Sequence, residues 1–492
     1  MLKKLASETA IYGVSSILSR LLNYVILTPY LTRAFLTGQF GVVSDMYVYA
    51  GLLMVLFTYR METTFFRFAK DKENRDKVFS TTAWSIIIST VVLVGLLLSF
   101  SQGLANLLHY PNNQDYVIWF IFIIAFDALA AIPFARLRLE NRPIRFAVLK
   151  TLGILVNIFF IFSFLEICPW LIEQGFSGIA NFYNEGNRIS YVFVANLLAS
   201  LAVLLLLLPE FRHLKPIFDK GLWKKMMIYA MPLVIVGFAS VINQLISMPL
   251  MKELLPYDFN KNMEQVGIYA ACAKIAILMS LFTQAFNYAA EPFFFRNADR
   301  SDAKKTYAQV AQAFTLVGSL AFLGIMMYID IIRHFIGSDF QEGLSVVPIL
   351  LIAFLLLGIY YNFSIWYKLT DRTKFGAYIS LTGVAVTLAL NFILIPKIGY
   401  LGGAWAALAC YATMTILSYQ LGQKYFPVNY PIGKISLYIG SAILVYLGST
   451  QVAFMTSENL GLRLLVNTLF LLSWVGAIYS LEKKNLSLLL KS

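Results

Sequence analysis

Fourteen apolar stretches follow one another along the chain, at about 10–31, 40–59, 79–100, 116–135, 146–165, 191–208, 228–249, 266–288, 309–329, 345–367, 375–395, 400–420, 435–452 and 460–480. A helix that crosses a bilayer needs about 20 such residues, so each stretch is long enough to span, and together they take up more than half of the 492 residues. The mean hydropathy of +0.71 and a charged fraction of 13% exclude a water-soluble protein, because soluble domains carry about 25% charged residues. The expected fold class is an all-α polytopic membrane protein of about fourteen transmembrane helices, numbered here spans 1 to 14.

The formal charge is +13, and its distribution carries more than its size. Lys3 and Lys4 precede an apolar run that reaches Leu31 without a small-residue cleavage site, which reads as an uncleaved first span. With the N-terminus placed inside, and Lys150 counted with the inner loop that precedes it, inner segments hold 30 basic and 13 acidic residues and outer segments 7 and 11. Lys and Arg are retained on the cytoplasmic side, so the expectation is a plasma-membrane protein with both termini cytoplasmic. The basic excess records topology and contact with anionic inner-leaflet lipids; it does not point to nucleic acid. Cys168, Cys272 and Cys410 are scattered through or beside apolar segments and suggest neither a disulfide framework nor a metal cluster.

The chain repeats itself. Asn23 and Pro29 in span 1 have the spacing of Asn243 and Pro249 in span 7, and Phe40-Gly41-Val42 opens span 2 as Val266-Gly267-Ile268 opens span 8. Leu139-Glu140-Asn141-Arg142 and Phe146-Ala147 before span 5 parallel Leu369-Thr370-Asp371-Arg372 and Phe375-Gly376 before span 11, and Asn157 parallels Asn391. Equivalents lie an even number of spans apart, so the halves share one orientation, the signature of a parallel repeat about an axis along the membrane normal. The expected organisation is an N-terminal lobe over 1–208 (spans 1 to 6), a basic cytoplasmic linker over 209–227, a C-terminal lobe over 228–420 (spans 7 to 12), and appended spans 13 and 14 with a cytoplasmic tail over 421–492. Two such six-helix lobes suit alternating access around a cleft.

Ionisable residues inside a membrane are costly and mark function or structural pairing. Arg20 lies about 15 Å into span 1 by helical rise, on one stripe with Tyr12, Ser16 and Asn23. Lys274 lies about 12 Å into span 8, where span 2 has no equivalent charge. Ser240, Asn243, Gln244 and Ser247 share a face of span 7, Lys150 and Asn157 one of span 5, and Thr387 and Asn391 one of span 11. The amides suit interhelical hydrogen bonds as well as a ligand. Arg20 and Lys274 suit an anion, of which a diphosphate is the membrane-borne example. Asp127, in the middle of span 4, either binds a coupling proton or Na⁺ or neutralises Arg20 or Lys150. Glu62 after Arg60, and Glu291 before Pro292, read as interfacial, with a gating role as the alternative. No other cofactor is expected: His109, His213 and His334 have no metal-ligand spacing, no phosphate loop or nucleophile motif is present, and the longest outer connection, about 166–190, is too short for a catalytic domain.

Several segments carry a family resemblance: Ser19-Arg20; Arg60-Met61-Glu62-Thr63-Thr64-Phe65-Phe66-Arg67-Phe68; Arg138-Leu139-Glu140-Asn141-Arg142-Pro143; Val266-Gly267-Ile268-Tyr269 leading to Lys274; and Asn391-Phe392-Ile393-Leu394-Ile395-Pro396 followed by Gly399 and Gly402-Gly403-Ala404. In order and spacing the whole chain resembles the polysaccharide flippase branch of the multidrug/oligosaccharidyl-lipid/polysaccharide exporter superfamily. That resemblance implies a non-enzymatic bacterial inner-membrane flippase for undecaprenyl-diphosphate-linked oligosaccharides of O-antigen, capsule or exopolysaccharide, working beside polymerase and glycosyltransferase machinery. It also implies basic residues of spans 1, 2 and 8 lining the cavity, which Arg20 and Lys274 match by position and Arg60 loosely, and a lipid-tail groove at spans 13 and 14. The rivals are a cation-coupled small-molecule antiporter, a membrane glycosyltransferase or ligase acting on the same carrier, and a non-transporting scaffold of an assembly complex.

Overall fold

The computed structural model describes residues 21–69, 74–140, 142–181, 183–298, 300–370, 372–455 and 459–489. Among them every regular element is helical, and thirteen helices are long and apolar enough to cross a membrane. They correspond to spans 2 to 14. Span 1 lies mostly outside the described residues, and its described part is helical over 21–34.

The chain forms two compact units. The first comprises residues up to Glu253 together with Tyr257–Gly267. Its helices are α1 (21–34), α2 (Thr37–Thr58), α3 (Met61–Phe68), α4 (Arg75–Ser99), α5 (Ser101–Leu107), α6 (Gln114–Leu139), α7 (Pro143–Phe162), α8 (Cys168–Glu173), α9 (Ser177–Ala180), α10 (Arg188–Leu207), α11 (Lys220–Leu245) and α12 (Ser247–Leu254). α13 (Phe259–Arg296) begins in this unit and continues in the second. The second unit adds α14 (Ala303–Met327), α15 (Ile329–Ile332), α16 (Val346–Phe363), α17 (Ile365–Leu369), α18 (Lys374–Ile398), α19 (Tyr400–Tyr425), α20 (Ile432–Met455) and α21 (Leu460–Leu489). By packing, α11 and α12 join the first unit, although the repeat counts them with the second half of the sequence.

Local chemistry explains the breaks. Pro143 takes the first position of α7, where a missing N–H costs nothing. Asp219 caps α11 by accepting the Leu222 N–H at 2.8 Å, which satisfies one of the orphan donors of the first turn. Gly399 turns α18 into α19 at φ +63°, and at Gly402 a Cβ would sit 2.6 Å from the Ile395 nitrogen. Both glycines of the C-terminal motif are therefore needed for one tight helical hairpin. On α4 the exposed residues Ile88, Val91, Val92 and Leu96 form one stripe, the spacing of a helix face turned to lipid.

The internal repeat is visible in hydrogen bonds. After α6, the Glu140 N–H bonds the Arg136 carbonyl and the Arg142 N–H bonds the Leu137 carbonyl; after α17, Thr370 bonds Trp366 and Arg372 bonds Tyr367 in the same way. The two turns leave their helices through identical C-terminal bonding.

In the second unit a polar chain ties the last two helices to α14. Gln312 donates to the Tyr438 hydroxyl at 2.8 Å, Tyr438 donates to the buried Glu482 carboxylate at 2.8 Å, and Lys434 pairs with Glu482 at 2.6 Å. Asn467 donates to the Met327 carbonyl at 2.8 Å, and Arg463 pairs with Asp330 at 2.7 Å.

Candidate functional site

Charged and polar residues collect at three places in the first unit. The first is a break in span 2. Tyr59 and Arg60 both occupy the left-handed region, at φ 30° and 57°, which costs non-glycine residues energy and concentrates at functional sites. Ser85 Oγ holds the kink, lying 2.6 Å from the Tyr59 hydroxyl and accepting the Trp223 Nε1–H of α11 at 2.8 Å. The kink aims Arg60 across α11 at Gly237, where a Cβ would lie 2.6 Å from its Nε. Only glycine leaves that room. Around it, Arg67 lies over the Tyr229 ring at 4.2 Å, and Arg138 pairs with Glu62 at 3.0 Å while covering Phe66 at 4.8 Å.

The second place gathers α2, α6, α7 and α10. Asn196 donates to the Tyr47 hydroxyl at 2.6 Å. Asp127 hydrogen-bonds Ser200, feels the charge of Lys150 and neighbours Tyr47, while Lys150 also lies 4.1 Å over the Phe134 ring. Asp127 and Lys150 are thus brought together. Asn157 and Asn23 each bury an Oδ1 that has no donor in reach among the described residues.

The third place was not predicted from the sequence. Asp45 of α2 and Lys252 of α12 are fully buried and form an ion pair at 2.9 Å. Tyr110 donates to the same carboxylate oxygen at 2.8 Å, and the Lys252 ammonium also donates to the Tyr49 hydroxyl at 3.0 Å and the Leu108 carbonyl at 3.2 Å. Burial, and then the Asp45 charge, push the Tyr110 hydroxyl well above its ordinary pKa. In the sequence Asp45 falls within the apolar stretch 40–59 and Lys252 in the connection after 228–249. The available signal was an intramembrane carboxylate without a cation on its own helix.

Arg20 lies outside the described residues. Asn243 is buried on α11 while Gln244 is exposed on the same helix, so adjacent amides of the expected stripe face different surroundings. In the second unit Lys274 is half-buried on α13 between Ala273 and Ile275, both buried. Asn391 is buried and donates to the Thr387 carbonyl of its own helix at 2.7 Å. Glu291 pairs with Lys368 at 2.9 Å. No group of His, Cys, Asp and Glu among the described residues is arranged to hold a metal ion.

Outside the spans, the Lys77 ammonium, 2.6 Å from Asp219, together with the Leu222 N–H holds the Asp219 carboxyl below the usual carboxylate range.

The fold is shared with known transporters. The chain is similar to a lipid II flippase MurJ in its inward closed conformation, with 15% identity, a TM-score of 0.73, and coverage of 95% of this chain and 98% of that one. It is similar to an inward-facing multidrug resistance MATE family transporter of the MOP superfamily at 13% identity and TM-score 0.57, covering 88% and 94%. A Vibrio cholerae MATE transporter, VcmN in the bent form, is similar at 14% identity and TM-score 0.54, covering 89% and 99%. No curated protein matches the chain. Residues 5–298 match the model of a family described as polysaccharide biosynthesis protein, and with that match running over more than half its length, the chain belongs to the polysaccharide biosynthesis protein family.

Proposed function

We propose that this protein is a flippase of the bacterial inner membrane that moves polyprenyl-diphosphate-linked oligosaccharide outward for surface polysaccharide assembly, with both termini cytoplasmic. The family supports the polysaccharide pathway, and the fold, common to a lipid II flippase and multidrug transporters, supports a transporter. The observation that carries the reading is Arg60: a strained kink and a glycine seat hold a guanidinium among membrane-crossing helices. Structural economy would not retain that arrangement, whereas a diphosphate is well matched by a guanidinium. From their places in the sequence, Arg20 and Lys274 are further cations proposed for an anionic ligand. Lys150 and Ser200 beside Asp127 support the neutralising role for that carboxylate over the ion-coupling one.

In cells lacking the chromosomal copy, Arg60→Ala, Arg20→Ala and Lys274→Ala each lower surface polysaccharide export at normal protein levels, and Arg60→Lys keeps more activity than Arg60→Ala. Undiminished export by all three alanine variants at normal levels overturns the assignment.

A further inference from the structure

The pair Asp45–Lys252 is built asymmetrically. Both of its donors, Lys252 Nζ and Tyr110 Oη, bind Oδ2, while the buried Oδ1 has no donor among the described residues. The ammonium has three acceptors, Oδ2, Tyr49 Oη and Leu108 O, which exhausts its protons. Asn262 of α13 donates to the Lys252 carbonyl at 3.0 Å, so the end of α12 and the start of α13 are fixed together. Beside the buried pair lies a rim pair, His109 with Glu253 at 3.0 Å, both about half exposed, and His109 is the third described non-glycine residue in the left-handed region, at φ 62°. Tyr49 of its own helix and Tyr110 in the turn after α5 also act on Asp45, and Tyr116 of α6 lies beside Tyr110.

We propose that Asp45 is a proton-binding site that latches α12 and the start of α13 onto α2. A proton adds to Oδ1 without displacing either donor at Oδ2. The carboxyl is then neutral, Lys252 keeps its charge, and the site passes from net zero to one positive charge with no counter-ion. A buried charge stripped of its partner is strongly unfavourable, so Lys252 leaves for water and takes the α12–α13 segment with it. Loss of the proton restores the pair. The inference concerns a conformational step and holds whatever cargo is moved.

The test uses the purified full chain in liposomes, with Cys168, Cys272 and Cys410 replaced by Ala and a reporter cysteine at buried Met263. Its maleimide labelling is divided by that of a cysteine at exposed Lys261, which cancels the pH dependence of thiol reactivity. From about pH 8 to about pH 5, across the ordinary carboxylate-to-amine interval, the ratio rises severalfold. With Asp45→Asn the ratio is high throughout; with Asp45→Asn/Lys252→Met it is low throughout, and this charge-free pair serves where the single variant does not fold. His109→Gln leaves the response intact. A flat ratio in the parent, a pH response that persists in the double variant, or one abolished by His109→Gln overturns the proposal. Failure of export by the Arg60 variants leaves these readings unchanged, so the two proposals fall separately.

Discussion

Gly41 and Gly267, equivalents in the internal repeat 226 positions apart, pack backbone against backbone. A Cβ on Gly41 would lie 3.1 Å from the Gly267 nitrogen and collide with the Met263 carbonyl; one on Gly267 would lie 3.0 Å from the Gly41 nitrogen and collide with the Thr37 carbonyl. Each repeat supplies the small residue that lets the other half's helix approach, as small residues do at membrane helix crossings.

Gly41→Ala and Gly267→Ala therefore overpack a backbone contact that no side-chain rotation relieves, at a cost of about 1–3 kcal/mol or more. Thermal unfolding of the purified protein in detergent shows a lowered midpoint for both. Gly51→Ala, whose Cβ meets only the Val241 and Leu245 side chains at 3.4 and 3.9 Å, is close to neutral.

Gly237→Ala acts through Arg60. Its Cβ occupies the guanidinium's place, and Arg60 moves because a flexible tip yields before a helix backbone does. Export falls at normal protein levels, and Gly237→Ala adds little to Arg60→Ala. Additive losses in that double-mutant cycle would show that the two residues act independently.

Glu482→Ala removes the acceptor shared by Tyr438 and Lys434 and frees a buried hydroxyl, at a cost of about 1–3 kcal/mol. Hydrogen exchange in α20 and α21 accelerates before that of α6, because the polar chain fastens these helices to α14. Equal acceleration everywhere would contradict this local role.

Asp219 makes the start of α11 acid-sensitive. Its folded pKa is depressed, so its contribution is fully present above the ordinary carboxylate value of about 3.9 and is lost as pH falls through the lower, folded value. Peptides covering 220–225 exchange amide hydrogens faster in Asp219→Ala at neutral pH. Lys77→Ala raises the pH at which the parent's protection is lost.

The apolar stretches alone were enough to recover thirteen spans, since hydropathy and bilayer thickness act locally, and matching motifs were enough to show the repeat. Gly41, Gly267, Gly399 and Gly402 stood out as motif letters, but their reason is steric and appears only when helices are packed. Lys150 was legible as one of two cations, with Arg20, that could neutralise Asp127, and the fold brings it there. Asp45 and Lys252 could not be matched in this way, because their 207-residue separation in sequence is closed by the fold alone. The packing of α11 on α2, α3 and α4 was hidden for the same reason: the repeat describes ancestry of sequence, and packing obeys surface complementarity.

Several cations at the ends of α4 to α7 and after α10 are paired with acids of neighbouring helix ends. Arg142 and Arg145 share the buried Glu210, Arg136 pairs with Asp76 and Glu140, and Lys215 with Asp76. Apart from Arg136 with Glu140, these pairs join helix ends that are distant in sequence. Basic residues scattered along the sequence thus serve as mortar, joining the ends of α4, α6 and α7 to one another and to the segment after α10.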